Sequence, residues 1–322
     1  MEPVQPVFTE LKNALNNKIV GQPHLVESLI IALLADGHLL VEGAPGLAKT
    51  RAIRMLGNHL DGSFHRVQFT PDLLPADLTG TEVFRPQDGT FVFQQGPLFH
   101  NLILADEINR SPAKVQSALL EAMAERQITV GKVTYRLEDP FLVMATQNPI
   151  EQEGTYPLPE AQLDRFLLHV PVDYPDAVVE REILKIARNE VFSEESEGEP
   201  VVVVNKEQLQ AARREVMELY LAENLEEYLV QLVLATRRPE NYGGEVAERI
   251  QYGASPRATL ALDRCSRARA WLAGRDFVTP EDIQALAFNV LRHRVLLTYE
   301  AEAEGWTVDR LVADLIQRVP VP

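Results

Sequence analysis

One short segment of the sequence carries the residue types that bind nucleotide phosphates. Gly43 and Gly46 allow a tight turn that points backbone N–H groups at a phosphate, beside the N-terminus of a helix, whose field favours anions. Lys49 adds a cation for the β- and γ-phosphates, and Thr50 offers a hydroxyl to a magnesium ion. With the intervening residues Ala44, Pro45, Leu47 and Ala48, the segment fits G-x-x-x-x-G-K-[ST] in full, after an apolar run and before a helical pattern. It therefore predicts a binding site for ATP and Mg²⁺.

A second segment places two carboxylates at the end of an apolar run. Residues 102–105 are apolar and are followed by Asp106 and Glu107. Asp106 is expected to hold Mg²⁺ through the water shell of the ion, and Glu107 to orient the attacking water or to accept its proton. Paired acids at a strand end are also common as solvated caps, but the phosphate-binding pattern upstream favours a role in hydrolysis.

Short apolar runs alternate with helical patterns in the first half of the chain. The runs at residues 37–42, 102–105 and 140–145 are typical of strands that are buried on both faces of a parallel sheet. Helical patterns follow the first two runs, at residues 50–60 and 113–125. This alternation predicts an α/β fold, with a parallel sheet flanked by helices.

Helical signals dominate the second half of the chain. Ser255 and Thr279 are each followed by a proline, which is typical of a helix N-terminus. The basic stretch at residues 292–294 is interpreted as a solvated helix face. We therefore expect two domains, a nucleotide-binding core at residues 1–175 and a smaller, mostly α-helical lid domain at residues 176–322.

The composition excludes several classes of protein. The chain of 322 residues has 47 acidic and 31 basic side chains and a net charge of −16, so its surface repels nucleic-acid backbones and anionic membranes. The single cysteine, Cys265, excludes a disulfide framework and a cysteine-rich zinc site. The first residues lack the layout of a secretion signal, and the apolar stretch 29–35 is too short to cross a bilayer. We expect a cytoplasmic protein with no stable membrane insertion.

Two hairpin patterns interrupt the alternation of strands and helices. One covers residues 82–93 around an Asp-Gly turn, and the other covers residues 127–136 around a Gly-Lys turn. Each is either an ordinary edge of the sheet or a functional element. The first carries Phe84, Phe91 and Phe93, which either pack in the core or grip a polypeptide.

Three segments, at residues 106–112, 114–123 and 145–166, resemble the MoxR family of AAA+ ATPases. The resemblance extends from about residue 19 to the C-terminus. It implies a P-loop parallel sheet of the AAA+ type, flanked by helices and followed by the helical lid. It also implies that the hairpins are the insertion in helix 2 and the hairpin before the sensor 1 strand, which in related ring ATPases point into the pore.

The resemblance assigns roles to further residues. It implies that Asn148 is the sensor 1 residue that helps to position the attacking water, although Asn148-Pro149 is also a good turn initiator. Arg165 resembles the arginine finger that reaches the γ-phosphate of a neighbouring subunit, the alternative being a surface ion pair with Asp164 or Glu160. Arg257 resembles the sensor 2 arginine near the start of a lid helix. Val20 and Gly21 lie in a segment that resembles the one packed against adenine.

The family resemblance favours an ATP-driven chaperone or remodeller of partner proteins. Such a protein would form a homo-oligomeric ring, expected to be a hexamer. Its clients would be proteins under maturation or cofactor insertion, some with a von Willebrand factor A domain.

Two other classes of protein share parts of the pattern. A DNA-dependent, helicase-like motor has the same hairpin layout, but the acidic charge and a second hairpin with only Lys132 at its turn argue against nucleic acid as a partner. A small-molecule kinase or a GTPase has the same phosphate-binding loop. A GTPase would show N-K-x-D after a later core strand, and the similar string at residues 205–208 lacks the aspartate.

Overall fold

The computed structural model describes residues 3–149, 154–192 and 203–322. Residues 150–153, within the family-like segment 145–166, lie outside these ranges. Within them the α-helices are α1 (Gln5–Lys18), α2 (Pro23–Leu34), α3 (Lys49–Asn58), α4 (Pro75–Thr79), α5 (Ala113–Glu125), α6 (Glu160–Leu163), α7 (Ala177–Phe192), α8 (Lys206–Glu218), α9 (Glu223–Arg237), α10 (Gly244–Ala247), α11 (Pro256–Leu272), α12 (Pro280–Leu291), α13 (Tyr299–Ala303) and α14 (Val308–Arg318).

The strands belong to one main sheet and to three small antiparallel pairs. They are β1 (Leu39–Gly43), β2 (Phe64–Gln68), β3 (Gly80–Arg85), β4 (Thr90–Gln95), β5 (Leu102–Asp106), β6 (Gln127–Val130), β7 (Val133–Arg136), β8 (Leu142–Gln147), β9 (Leu168–Val172), β10 (Ile250–Tyr252) and β11 (Leu296–Leu297). The main sheet has five strands in the order β2-β5-β8-β1-β9. It is flanked by helices, so the predicted α/β fold is confirmed.

Parallel pairing decides which residues meet at the edge of the main sheet. Strand β8 pairs in parallel with β5 on one side and with β1 on the other, with Leu104 opposite Met144 and Leu40 opposite Ala145. All five residues of β5 are buried, as expected for a strand covered on both faces. Because the carboxyl ends of β1, β5 and β8 lie at one edge, the residues that follow these strands become neighbours.

The N-terminal helices pack against each other and against α3. In α1 the buried residues Phe8, Leu11 and Leu15 follow the spacing of one helix face. Helix α2 is apolar on nearly every side and is buried along most of its length. None of the helices in the described part of the chain combines the length and the apolar character needed to span a membrane.

The two hairpins form sheets of their own. Strand β3 pairs with β4, and β6 pairs with β7, in two-stranded sheets separate from the main one, so their interpretation as ordinary edges of that sheet is wrong. The ring of Phe93 stacks on Tyr135 of the second hairpin at 4.3 Å between centroids, and Phe99 packs edge-on against both rings. By contrast, Phe84 and Phe91 are 50% and 67% exposed. The first hairpin therefore packs through one of its three phenylalanines and presents the other two to solvent.

Contacts group the chain into two compact units. The first contains residues 1–158 and 170–209, and the second contains residues 159–169 and 210–322. In the second unit, α9, α11, α12 and α14 account for most of the buried apolar side chains. The domain boundary expected at residue 176 stays a prediction.

A buried histidine lies at the start of β1. His38 Nδ1 accepts a hydrogen bond from the backbone N–H of Val143 at 3.1 Å, and Nε2 donates to the carbonyl oxygen of Met123 at 3.2 Å. Burial, together with the nearby Arg126 guanidinium, lowers the pKa of His38 to about 3. The imidazole is therefore neutral in the folded chain, with its proton on Nε2.

This histidine makes the stability of the protein depend on pH. The pKa of His38 is lower in the folded chain than in the unfolded chain, where it is near 6.5. The contribution of His38 to the free energy of unfolding is therefore complete above pH 6.5 and is lost as the pH falls below that value. The replacement His38→Gln removes the titration. We measure the free energy of unfolding of the wild type and of this variant in urea. We expect the wild-type value, relative to that of the variant, to fall by about 2 kcal/mol from pH 7 to pH 5.

The matched control is His24→Gln, since His24 is exposed. Because His38 is intact in this control, the pH dependence that His38 supplies should remain. A wild-type advantage over His38→Gln that stays constant with pH would contradict a neutral, buried His38.

Candidate functional site

The predicted phosphate-binding segment forms the turn between β1 and α3. Gly46 has φ +85°, a left-handed conformation that favours glycine, and Ala48 is also left-handed, with φ 57°, directly before the helix. The backbone of Gly43 is not left-handed, but a Cβ there would lie 2.5 Å from the carbonyl oxygen of Val172. Gly46 is thus required by its conformation and Gly43 by a close approach to β9.

Lys49 is the first residue of α3 and is largely buried. Its ammonium group donates a hydrogen bond to the carbonyl oxygen of Gly43, across the turn. Burial lowers the pKa of Lys49, while the carboxylates of Asp106, Glu107 and Glu42 oppose that shift. The charge of Lys49 is therefore held over the turn by acidic groups at the edge of the sheet.

A cavity of about 390 Å³ opens beside the turn. It brings together the predicted residues Lys49, Thr50, Asp106, Glu107 and Asn148. The other lining residues are Pro45, Gly46, Leu47, Ala48, Arg51, Arg66, Gln68 and Thr146. Five predicted residues from three separate segments of the sequence thus line the same cavity.

The donors in this cavity fit a magnesium ion. The hydroxyl of Thr50 and the carboxylate of Asp106 are oxygen donors, which Mg²⁺ prefers. In the described residues no group of three or more His, Cys, Asp or Glu side chains could hold a metal ion. That agrees with the usual binding of Mg²⁺ by one or two protein groups together with waters and substrate phosphates.

Both carboxylate oxygens of Asp106 are engaged. Oδ1 accepts a hydrogen bond from the hydroxyl of Thr146 at 2.6 Å. Oδ2 accepts two from Arg66, at 2.6 Å from Nη2 and 3.0 Å from Nε. The Thr146 hydroxyl in turn accepts a hydrogen bond from the backbone N–H of Glu107 at 2.9 Å. Thr146 therefore ties the two acidic residues to the neighbouring strand.

Glu107 has an unusual backbone conformation. Its φ of 57° and ψ of 50° are left-handed, which costs a non-glycine residue about 1–3 kcal/mol and persists only where the surroundings enforce it. Its side-chain Oε2 accepts hydrogen bonds from Gln68 Nε2 at 2.7 Å and from Arg110 Nη1 at 3.1 Å. The bonds to its backbone and side chain thus fix this carboxylate at the mouth of the cavity.

Asn148 follows β8 and is buried on the wall of the same cavity. The residues that our sequence reasoning missed are Arg66, Gln68 and Thr146. Thr146 directly follows the apolar run at residues 140–145, two positions before Asn148. Arg66 and Gln68 alternate around Val67 in β2, a short strand with weak apolar character that gave no clear signal.

A second cavity, of about 710 Å³, lies on the other side of the turn. Val20 lines it together with its neighbours Ile19 and Gln22, while Gly21 lies between them in the chain. The two cavities share the turn residues Pro45, Gly46, Leu47 and Ala48, and also Arg51. The remaining lining is mostly apolar, from Tyr174, Pro175, Ile183, Leu184 and Ile186. Its size and apolar lining suit a base and sugar.

Arg165 and Arg257 belong to the second compact unit, as does Asp164, the residue before Arg165. Asp164 accepts hydrogen bonds from the Ser255 hydroxyl, at 3.0 and 2.8 Å to its two oxygens, and from Arg257 Nη1 at 3.3 Å. Ser255 also caps α11 by accepting a hydrogen bond from the backbone N–H of Arg257. The segment that contains Arg165 is therefore tied to the N-terminus of the helix that carries Arg257.

The basic stretch 292–294 lies in the interior, so its interpretation as a solvated helix face is wrong. The Arg294 side chain is 2% exposed and donates to Asp164 Oδ1 at 2.8 Å and to the carbonyl oxygens of Phe166 and Leu167. Burial lowers the pKa of Arg294, and Asp164 opposes the shift. The local pattern could not reveal this position, because Asp164 is 130 residues away in sequence.

Comparison with known proteins adds an independent line of evidence. Residues 38–168 match the ATPase family associated with various cellular activities (AAA), and residues 244–315 match the AAA lid domain. The chain is 44% identical to Chaperone MoxR1 of Mycobacterium tuberculosis, over 94% of this chain and 79% of that protein. It is 41% identical to the uncharacterized protein YeaC of Bacillus subtilis, over 100% of this chain and 97% of that protein.

A solved structure agrees with these relatives. A crystal structure of a protein provisionally described as an ATPase, from Cytophaga hutchinsonii, superimposes with a TM-score of 0.91 at 45% identity. The match covers 99% of this chain and 96% of that one.

The buried pair of Asp164 and Arg294 predicts a large loss of stability when the carboxylate is removed. Asp164→Ala leaves a buried guanidinium without its counter-ion, and we expect the free energy of unfolding of the second unit to fall by about 3 kcal/mol. The protein has two tryptophans, Trp271 and Trp306, both in the second unit, so tryptophan fluorescence in a urea titration reports on this unit.

A conservative variant and a surface variant serve as controls for Asp164→Ala. Asp164→Asn keeps an oxygen acceptor for Arg294, and we expect it to be less harmful than Asp164→Ala. Glu245→Ala removes a carboxylate that is 77% exposed and 3.7 Å from Arg249, and should change the free energy of unfolding by less than about 0.5 kcal/mol. Equal effects of Asp164→Ala and Glu245→Ala would contradict the structural role of the buried pair.

Proposed function

The chain belongs to the MoxR family of AAA+ ATPases, and from that premise we propose that it is a ring-forming chaperone or remodeller of partner proteins, driven by ATP hydrolysis. The observation that carries this proposal is the single cavity that brings Lys49, Thr50, Asp106, Glu107 and Asn148 to one side of the phosphate-binding turn. A cytoplasmic location belongs to the same proposal, because the activity requires ATP.

The turn and its neighbours supply the binding energy for the nucleotide. In this proposal the backbone N–H groups from Gly43 to Lys49 hold the β- and γ-phosphates, and the Lys49 ammonium exchanges its bond to the Gly43 carbonyl for a phosphate oxygen. Val20 and Gly21 border the space for adenine. Thr50 and Asp106 would hold Mg²⁺, which when bound neutralises charge on the phosphates.

Glu107 acts on the water that attacks the γ-phosphate. Its carboxylate orients the water or takes its proton, a role that suits a carboxylate fixed by two hydrogen bonds at the cavity mouth. Asn148 holds the same water from the neighbouring strand. Arg165 and Arg257 stabilise the negative charge that spreads over the transferring phosphoryl group.

Assembly and clients are the finer part of the proposal. We propose a homo-oligomeric ring, with six subunits, in which Arg165 serves the site of a neighbour. A relative at 44% identity is named a chaperone, which supports client proteins as partners. Proteins with a von Willebrand factor A domain, under maturation or cofactor insertion, are the proposed clients. The exposed pair Phe84 and Phe91, with ring centroids 5.2 Å apart, offers an apolar contact for a polypeptide.

Two substitutions separate nucleotide binding from hydrolysis. Lys49→Ala removes the cation that faces the phosphates, so tight binding of ATP with Mg²⁺ should be lost in a calorimetric titration. Glu107→Gln keeps the size of the side chain but loses its charge, so ATP should still bind while phosphate release slows by about 100-fold or more. Near-normal turnover in Glu107→Gln would remove this residue from the mechanism, and unchanged ATP affinity in Lys49→Ala would reject the phosphate site.

The role of Arg165 between subunits is tested by mixing two inactive variants. Arg165→Ala should bind ATP nearly normally yet hydrolyse it about 10³-fold more slowly, the scale of other arginine fingers. When Lys49→Ala and Arg165→Ala are mixed, some interfaces combine an intact Arg165 with an intact Lys49, and we expect partial recovery of phosphate release.

Subunit exchange in that mixture is verified separately, by energy transfer between labelled variants. Verified exchange without any recovery of activity would show that Arg165 does not act on a neighbouring site.

A further inference from the structure

Arg66 contacts Asp106, the carboxylate proposed to hold Mg²⁺, and has no role in the proposed hydrolysis. Arg66 lies on β2, which pairs in parallel with β5 so that Arg66 stands opposite Leu104 and Gln68 opposite Asp106. The side chain reaches the end of β5 and donates two hydrogen bonds to a single oxygen of Asp106, Oδ2, at 2.6 and 3.0 Å. Charge-assisted hydrogen bonds of this length are among the stronger ones in proteins.

This contact uses the same carboxylate that the proposed function assigns to Mg²⁺. The other oxygen, Oδ1, is bound by the Thr146 hydroxyl at 2.6 Å. Thr146 is 1% exposed and also accepts the backbone N–H of Glu107, so its place is fixed by two bonds. The Arg66 side chain is 49% exposed. Of the side chains in the described part of the chain that bond the Asp106 carboxylate, Arg66 is therefore the one that can turn towards solvent.

A second contact keeps the guanidinium in place. Arg66 Nη2 also donates to Gln68 Oε1 at 2.9 Å, and Gln68 is held in turn by its bond to Glu107 at 2.7 Å. Arg66 thus occupies a defined position in front of Asp106, rather than one of many positions of a mobile surface side chain. A cation at this position repels a second cation and takes up the oxygen that the second cation requires.

We propose that Arg66 is a built-in counter-cation that competes with Mg²⁺ for Asp106 and so sets the magnesium concentration at which the site is loaded. This inference rests on the proposed function, because it takes the cavity as the site of ATP and Mg²⁺. In the nucleotide-free chain Arg66 neutralises the buried carboxylate. On loading, the guanidinium turns away from Oδ2, and the carboxylate becomes available to the water shell of the ion.

The test measures magnesium affinity rather than turnover. A fluorescent, non-hydrolysable ATP analogue is bound to the full-length protein in EDTA, and Mg²⁺ is then titrated while the binding signal is recorded. Arg66→Ala and Arg66→Gln both remove the competing charge, and we expect the half-saturating Mg²⁺ concentration to fall by about 3- to 5-fold, the scale of a partly exposed ion pair. Arg66→Lys keeps a cation but loses the paired hydrogen bonds, and should give a smaller decrease.

Arg54→Ala is the matched control. It removes an equal charge from an exposed position on α3 outside the lining of the cavity, so its half-saturating Mg²⁺ concentration should stay within about twofold of the wild type. An unchanged or increased Mg²⁺ requirement in both Arg66→Ala and Arg66→Gln would overturn the proposal. So would an equal decrease in Arg54→Ala, because the effect would then be a general change of charge.

The wild-type titration distinguishes this failure from failure of the proposed function. In one outcome, the wild type binds the analogue and Mg²⁺ strengthens that binding, but the Arg66 variants have the same half-saturating Mg²⁺ concentration as the wild type. Only the proposed role of Arg66 is then wrong. If the wild type binds no analogue at any Mg²⁺ concentration, the nucleotide site itself is wrong, and the inference on Arg66 fails with it. Circular dichroism of each variant establishes that the fold is intact.

Discussion

The parallel pairing of β5, β8 and β1 is the constraint on which the rest of the site depends. Strand β8 lies between the strand that ends in Asp106 and the strand that leads into the phosphate-binding turn. The hydrogen bond from Thr146 to Asp106 forms across that pairing, at the edge where all three strands end. A shift of β8 by one residue would turn Thr146 away from Asp106 and Asn148 away from the cavity, because side chains alternate along a strand.

Charge compensation governs the interior of both compact units. In the first, Lys49 lies over the turn near the carboxylates of Asp106 and Glu107, and Arg66 neutralises Asp106. In the second, the buried Arg294 is matched by Asp164. Each of these charges would be costly without its partner, since transfer of an unpaired ion from water to a protein interior is strongly unfavourable. Under the proposed function, binding of nucleotide and Mg²⁺ would rearrange these ion pairs.

The aromatic side chains of the first hairpin have two different environments, one packed and one exposed to solvent. Phe93 is fixed by stacking on Tyr135, which joins the first hairpin to the second. Phe84 and Phe91 face each other across β3 and β4 but remain half or more exposed. Apolar rings that stay exposed on a firmly packed hairpin are suited to contact with another polypeptide, which agrees with the proposed action on partner proteins.

Features that depend on local spacing could be predicted from the sequence alone: the turn with Lys49 and Thr50, the buried strands, the acidic pair at the end of β5, and Asn148 after β8. Each needs only a short run of neighbouring residues, so its pattern is readable without the fold. The parallel pairing of β1, β5 and β8 brings Lys49, Thr50, Asp106, Glu107 and Asn148 to one cavity. The partners of Arg66 and Arg294 became visible only in the folded chain. Their carboxylate partners lie 40 and 130 residues away in sequence, and no local pattern tells an arginine paired at that distance from a solvated one.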